Sequence, residues 1–367
     1  MRKKVLTILL LLCCFMFTLG GCDGCTLSFG RHKITYTEPL SISVGATASE
    51  IADEYLKATV TVVIVDSSNS SVSHGSGVAI HSGGYIATNY HVISSVVSAS
   101  SSYSAKVYLN EGETGYDADV LWYNASLDCA ILRSDYYNIP FVQMEDRWIN
   151  SDNPLKVLEQ VIAIGTPIDF SLQNTVTTGY ISSTVKRYST SENRVYEDLI
   201  QHTAPISNGN SGGPLFDLNG KLVGLNTLGI ADKQTTTTSS GYSANSLFFS
   251  VPIYPIIEVI DRVVSGTFVM PQIGVTGNDS TESSLAGRNN ISEDGFYVVS
   301  LTSGGAAQGH LSAGDVIKKF TNTSGKTFVI EERNDMIYAL LSSKPGDTVT
   351  IEYKRLGLTR TAEITLK

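Results

Sequence analysis

The chain has 367 residues, enough for two domains with their own cores, and its 42% hydrophobic and 17% charged content excludes an intrinsically disordered polymer. The formal charge of −9 removes any electrostatic reason to seek nucleic acid. Gly- and Ser-rich stretches between short β-branched runs predict many short strands and few long helices.

Residues 1–21 have the three-part pattern of an export signal. Arg2-Lys3-Lys4 is basic, and Val5 to Phe17 is an apolar run of 13 residues, short for a membrane-spanning helix. Leu19-Gly20-Gly21-Cys22 follows, and this end resembles a bacterial lipobox. By that resemblance cleavage falls before Cys22, and Cys22 carries a lipid that holds the mature chain on a membrane outside the cytoplasm. The mature chain loses three cations and no anion, which takes the charge from −9 to −12. An uncleaved anchor, or a plain signal with an incidental Cys, is the competing reading. Cys13 and Cys14 leave with the signal. Cys25 and Cys129 are too few for a disulfide framework, and Cys129 reads as a small buried hydrophobe in an apolar run. No Cys/His spacing resembles a zinc site, so no metal and no cofactor is expected.

Residues 22–45 lack periodicity and read as a tether. Thr47-Ala48-Ser49-Glu50 has the form of a capping box, which opens a helix to about Lys57. Thr59 to Val65 is a strand, Ser67 to Ser76 a polar loop, and Gly77–His81 with Tyr85–Thr88 a hairpin around Ser82-Gly83-Gly84. Further strands are expected at 105–109, 117–123, 129–133, 160–164, 175–186, 198–203, 214–217, 221–228 and 247–251. The segments 188–196 and 231–246 are polar, low in complexity, and read as mobile surface loops. Ile253, Ile256, Ile257, Ile260, Val263 and Val264 recur with helical spacing, so a helix closes the first domain. A boundary at Ser265-Gly266-Thr267 leaves residues 270–367 as a second domain.

Hydrolysis of an amide by acyl transfer needs a nucleophile, a base near neutrality, a group that orients the base, and oxyanion donors. Ser211 lies in Gly209-Asn210-Ser211-Gly212-Gly213-Pro214-Leu215. Gly209 allows a tight turn that aims the amides of Gly209 and Ser211 at one oxygen. A bare Ser-Gly-Gly is usually only a turn; the seven-residue string is far more specific. His91 follows the strand Tyr85–Thr88 as it enters a turn, and is the best base. His32 and His310 lie outside the domain, His74 and His81 read as solvated, and His202 as a strand-edge residue. Asp128 precedes an apolar strand, where a partly buried carboxylate requires a partner such as an imidazole N–H. Asp117, Asp119 and Asp135 have more solvent-facing surroundings.

Thr88-Asn89-Tyr90-His91-Val92-Ile93, Leu127-Asp128-Cys129-Ala130-Ile131-Leu132 and the Ser211 string together resemble the three catalytic motifs of the HtrA/Deg serine proteases, in the order His, Asp, Ser. Gln160 to Pro167 and Thr175 to Ser183 are also similar to family strands. Tyr90 departs from the usual Asn or Ala, and Thr203 from an Asp. The resemblance implies a mainly β fold, a chymotrypsin-like double β-barrel over 46–266 followed by a PDZ domain over 270–367. It implies acyl transfer with Ser211 as nucleophile, His91 as base, Asp128 as orienter, and Asn210 as a further oxyanion donor beside Gly209 and Ser211. It puts Pro205 at the floor of the specificity pocket and Thr227 and Leu228 on its wall, so cleavage is expected after small or medium apolar residues. In the second domain, Ile273-Gly274-Val275-Thr276 resembles the loop that binds a peptide carboxylate, beside a helix from Asp335 to Ser342. The implied protein is an ATP-independent envelope endopeptidase that cuts misfolded or exposed proteins, captures peptide C-termini on its PDZ domain, and assembles as a homotrimer. The alternative is a catalytically idle peptide-binding scaffold or chaperone.

Overall fold

The computed structural model describes residues 39–109, 112, 114–148, 151–168, 170–189, 195–230, 247–279 and 294–367. The export signal, Cys22, Cys25 and the polar segments at 190–194 and 231–246 lie outside the described residues. Among the described residues no helix is long and apolar enough to cross a membrane.

Twelve strands close into two six-stranded barrels. The first holds β1 (Thr59–Asp66), β2 (Ser71–His81), β3 (Tyr85–Thr88), β4 (Tyr103–Leu109), β5 (Gly115–Asn124) and β6 (Cys129–Ser134), in the order β1-β2-β3-β6-β5-β4. The second holds β7 (Gln160–Gly165), β8 (Thr175–Ser189), β9 (Val195–His202), β10 (Pro214–Asp217), β11 (Leu222–Ile230) and β12 (Leu247–Pro252), in the order β10-β11-β12-β9-β8-β7. This is the chymotrypsin-like double barrel expected from the motifs. Closure leaves neither barrel with an open edge.

Apolar side chains decide this arrangement. The whole of β1 except Asp66 is buried, as are Ile86, Ile131 and Leu132 on the facing strands. One apolar cluster continues from these residues through Ile162 and Ile164 to Phe216 and Leu225, so the barrels share a core. Thr61 and Thr166 hydroxyls also meet across the seam at 2.7 Å. At roughly 25 cal/mol per Å² of apolar area, that continuity makes separation of the barrels costly.

Helix α1 (Ala48–Tyr55) begins as expected. Glu50 N–H donates to Thr47 Oγ1 at 3.3 Å, and Thr47 N–H donates to Glu50 Oε2 at 2.8 Å, a reciprocal capping box. Its last residue, Tyr55, stacks on Phe216 with centroids 4.6 Å apart and so ties α1 to the second barrel.

Three local readings change. The polar segment Ser71–Ser76 is strand, not loop, because its amides pair with β1 (Val63 opposite His74, Thr61 opposite Ser76). The supposed turn at His91 is the first turn of a helix, α2 (Tyr90–Ser98). The end of the tether is folded: Leu40 N–H donates to Phe141 O at 2.8 Å, and Leu40 and Ile42 pack on the barrel core.

Helix α3 (Tyr254–Val264) closes the double barrel with Ile256, Val259, Ile260 and Val263 inward. A third sheet follows. It runs β13-β14-β15-β17-β18, where β13 is Val275–Asp279, β14 Phe296–Leu301, β15 Val316–Thr321, β17 Thr348–Arg355 and β18 Leu358–Thr365; β16 (Thr327–Val329) pairs with β15. Helix α4 (Arg333–Leu341) packs on it. Asp335 caps that helix by accepting from the amides of Glu331 and Glu332, both at 2.9 Å. The far face of α4 meets the double barrel. Tyr338 is buried edge-on to Tyr254, and the Arg262 guanidinium donates to the carbonyls of Leu341 and Ser343. Burial raises the Tyr338 hydroxyl well above its usual range, and the nearby Asp198 carboxylate pushes it further.

Candidate active site

Asp128 is delivered by a side-chain turn. Asn124 Oδ1 accepts from the amides of Ser126 and Leu127 at 3.0 and 3.1 Å, and the chain enters β6 through Asp128 at φ +51°. That left-handed conformation is one an Asp tolerates. The carboxylate is 5% exposed, so each oxygen requires donors. Oδ1 accepts the His91 backbone N–H at 2.9 Å, which makes Asp128 the cap of α2. His91 Nδ1 lies 2.8 Å from Oδ2 and 3.0 Å from Oδ1. A carboxylate only accepts, so Nδ1 carries the proton and Nε2 keeps its lone pair. Asn89 completes the mount by donating from Nδ2 to Asp128 O at 2.9 Å.

The remaining donor to the carboxylate comes from the second barrel. Thr227 Oγ1 donates to Asp128 Oδ2 at 2.8 Å. In the β11–β12 ladder Asn226 faces Ser250 and Leu228 faces Phe249, so Thr227 is an extra residue on one strand. Such a bulge re-aims the side chain, here across the seam between the barrels. Thr227 therefore holds Asp128 through its hydroxyl, a role beyond the pocket wall at which the resemblance puts it. Spacing alone carries no signal for this role; an irregular pairing partner is visible only in the folded ladder.

Ser211 is held in the tight turn before β10. Its Oγ donates to Thr227 O at 3.0 Å, so one residue contacts both Asp128 and Ser211. Ser211 makes no hydrogen bond to His91; its hydroxyl proton goes to Thr227 O. Ser76 secures the turn from the first barrel. Its N–H donates to Ser211 O at 2.7 Å and its Oγ to Gly209 O at 2.8 Å, while Thr166 N–H donates to Ser76 Oγ at 2.9 Å.

Two glycines are sterically required. Gly212 has φ +85°, and a Cβ there would lie 2.2 Å from both Ser76 O and Thr88 Oγ1. Gly209 has φ +97°, and a Cβ there would lie 2.2 Å from Thr166 O and 2.8 Å from His74 Nε2. Among the described residues, the amides of Gly209 and Ser211 have no hydrogen-bond acceptor, whereas Asn210 N–H is already given to Ser207 O at 3.0 Å. Asn210 is thus the weakest of the three expected oxyanion donors.

Other residues singled out in the sequence fall around this centre. Pro205 is exposed, its carbonyl accepting from Thr177 Oγ1 at 2.8 Å; Leu228 is half-buried against the core. Asp117, Asp119 and Asp135 are exposed, and Asp117 pairs with Lys106 at 2.7 Å. Cys129 is a fully buried free thiol, raised well above its usual range by burial and then by the Asp128 charge. His202 is fully buried, not at an edge, and burial pushes it down to about 4. His74 is also less solvated than expected, with Nε2 enclosed beside Gly209. Among the described residues no cluster of His, Cys, Asp or Glu could hold a metal ion.

Among the described residues β13 is an edge strand of the third sheet, and a groove of about 290 Å³ lies between it and α4. Val275, Thr276, Phe296, Met336, Ile337 and Leu340 line it. Ile273 also borders the groove and is 4% exposed; Gly274 follows at φ +79° and turns the chain into β13.

A base hydrogen-bonded to a buried carboxylate, with a hydroxyl in a Gly-rich turn at the seam of two barrels, defines a trypsin-like serine peptidase, here followed by a separate sheet domain. Residues 75–225 match the trypsin-like peptidase domain family, and residues 271–366 match the PDZ domain family. Serine protease Do-like HtrA of Lactococcus lactis subsp. lactis (strain IL1403) is 31% identical over 314 residues, which cover 80% of this chain and 70% of that protein. The probable periplasmic serine endoprotease DegP-like of Brucella suis biovar 1 (strain 1330) is 30% identical over 297 residues; the chain spans about half (52%) of its length. A solved structure of the HtrA-type protease AlgW with tripeptide superposes with a TM-score of 0.59 at 27% identity, covering 88% of this chain and 98% of the other. The serine endoprotease from Yersinia pestis shares the fold, with a TM-score of 0.56 at 24% identity over 89% and 99% of the two chains. The chain belongs to the HtrA family of serine endopeptidases.

Proposed function

We propose that this chain is an endopeptidase of the cell envelope in which Ser211 is the nucleophile, His91 the general base and Asp128 the group that orients it. The observation that carries the reading is the unbroken path from His91 Nδ1 to Asp128, through Thr227, to Ser211 Oγ. His91 Nε2 takes the Ser211 proton as Oγ attacks the scissile carbonyl. Asp128 stabilises the imidazolium without itself taking the proton. The free amides of Gly209 and Ser211 receive the oxyanion, His91 protonates the leaving amine, and water then releases the acyl group.

The exposed, uncharged Pro205 at the pocket floor suits a small or medium apolar side chain before the cut. The edge of β13, unpaired among the described residues, and the apolar groove beside α4 suit a peptide C-terminus added as a further strand, its carboxylate near Ile273-Gly274-Val275. The basic and apolar N-terminal pattern and the lipobox-like end at Cys22 support work outside the cytoplasm on a lipid anchor, in keeping with relatives described as periplasmic. Misfolded or exposed envelope proteins are the substrate class, and a homotrimer the assembly.

Casein and peptide-library digests with purified protein, with and without C-terminal peptides and beside Ser211→Ala, test the reading. Cleavage after apolar residues that disappears in the variant supports it. Equal inertness of both proteins under every peptide would favour the idle scaffold, and a strong preference for Lys or Arg would sink the pocket assignment.

A further inference from the structure

Asn226 is completely buried, and its contacts are unusual for a residue that touches neither His91 nor Asp128. Its backbone N–H donates to Gly213 O at 2.8 Å, and its carbonyl accepts from Gly212 N–H at 2.8 Å. Its side-chain Nδ2 donates to Pro214 O at 3.0 Å and to Ile164 O at 3.3 Å. One residue therefore grips the three that follow Ser211 and ties them to the end of β7.

The other end of the amide is also fixed. Ser250 Oγ donates to Asn226 Oδ1 at 3.1 Å, and His202 Nε2 lies 3.0 Å from Ser250 Oγ. Ser250 thus bridges the Asn226 amide to the His202 ring. With all three residues fully buried, two carbonyls facing Nδ2 and the Ser250 hydroxyl facing Oδ1 leave the amide one orientation. Asn226 also immediately precedes the bulged Thr227, so it fixes where the bulge begins.

We propose that Asn226 is a positioning residue for the nucleophile turn, supported by Ser250 and His202 from behind. It holds Gly212, Gly213 and Pro214 so that Ser211 Oγ and the Ser211 amide keep their places relative to His91. This rests on Ser211 being the nucleophile. An apolar side chain of the same bulk would fill the space but leave the Pro214 and Ile164 carbonyls without a donor, and the turn would relax away from the seam.

The test uses the full chain and two readouts: kcat and KM on a peptide substrate, and the rate at which a fluorophosphonate labels Ser211. Circular dichroism sets a temperature at which every variant is folded. Asn226→Ala is expected to lower kcat and the labelling rate together by about 10²-fold, the loss typical of a displacement near 1 Å, with KM within about twofold. Ser250→Ala leaves both Asn226 donors in place and frees only Oδ1; it is expected to lose about three- to tenfold in the same two quantities. It also keeps the proposal testable should Asn226→Ala not fold. Wild-type kcat and labelling in these variants, with only a lower melting temperature, would overturn the positioning role and leave the function untouched. Failure of wild-type protein to label any faster than Ser211→Ala would instead sink the assignment of Ser211, and this inference with it.

Discussion

Thr227→Val is a clean perturbation of the site, because the new methyl replaces a hydroxyl of similar size at a position 5% exposed to solvent. It removes the 2.8 Å hydrogen bond to Asp128 Oδ2 and leaves the Thr227 carbonyl, which takes Ser211 Oγ, in the main chain. A hydrogen bond to a charged group contributes about 1.5–3 kcal/mol. Asp128 keeps His91 N–H and Nδ1 as donors, so the lower end of that range applies. About 1.5 kcal/mol of lost orientation corresponds to roughly a tenfold drop in rate. The drop should fall on kcat, since the carboxylate acts only once the imidazole becomes charged, and KM should move little. Steady-state kinetics on a peptide substrate measure both. A variant with wild-type kcat would show that the bulge contact plays no part in holding Asp128, and a rise in KM alone would assign the hydroxyl to the pocket wall instead.

Gly212→Ala forces a Cβ to within 2.2 Å of Ser76 O at φ +85°, so the nucleophile turn must shift; a loss of activity on the order of 10²-fold is expected in the same assay. Pro205→Asp puts a carboxylate at the proposed pocket floor and should move cleavage toward Lys and Arg in a library digest; an unchanged profile would remove Pro205 from the pocket. His202 stays neutral in the fold down to about 4 against an ordinary value of 6.5, so between those pH values the unfolded chain binds the extra proton and stability falls as pH falls. The full difference is about 3 kcal/mol, measurable as the unfolding free energy in urea at pH 7 and pH 4; His202→Gln should lack this part of the dependence.

The short strands and the three catalytic motifs were legible in the sequence because both rest on local patterns, and the double barrel followed from the family that the motifs resemble. Strands such as Cys129–Ser134 are short apolar runs between turn residues, and a Gly-rich string around Ser211 has few other uses. What was not legible depended on partners far away in the chain. Ser71–Ser76 has the composition of a loop, yet β1 supplies a ladder for its amides, and Ser76 becomes the residue that holds Gly209 and Ser211. His91 sits in a helix whose cap is not a neighbouring Ser or Thr but the carboxylate of Asp128, 37 residues later. Thr227 and Asn226 look like ordinary strand residues, and the bulge between them and Leu228 decides that one reaches Asp128 and the other grips the turn behind Ser211. The seam between the barrels explains why these residues escape a linear reading. His91 and Asp128 belong to the first barrel and Ser211 to the second, so their alignment needs side chains that cross from one to the other. Ser76 crosses in one direction and Thr227 in the other, and neither crossing has a spacing that a sequence could display.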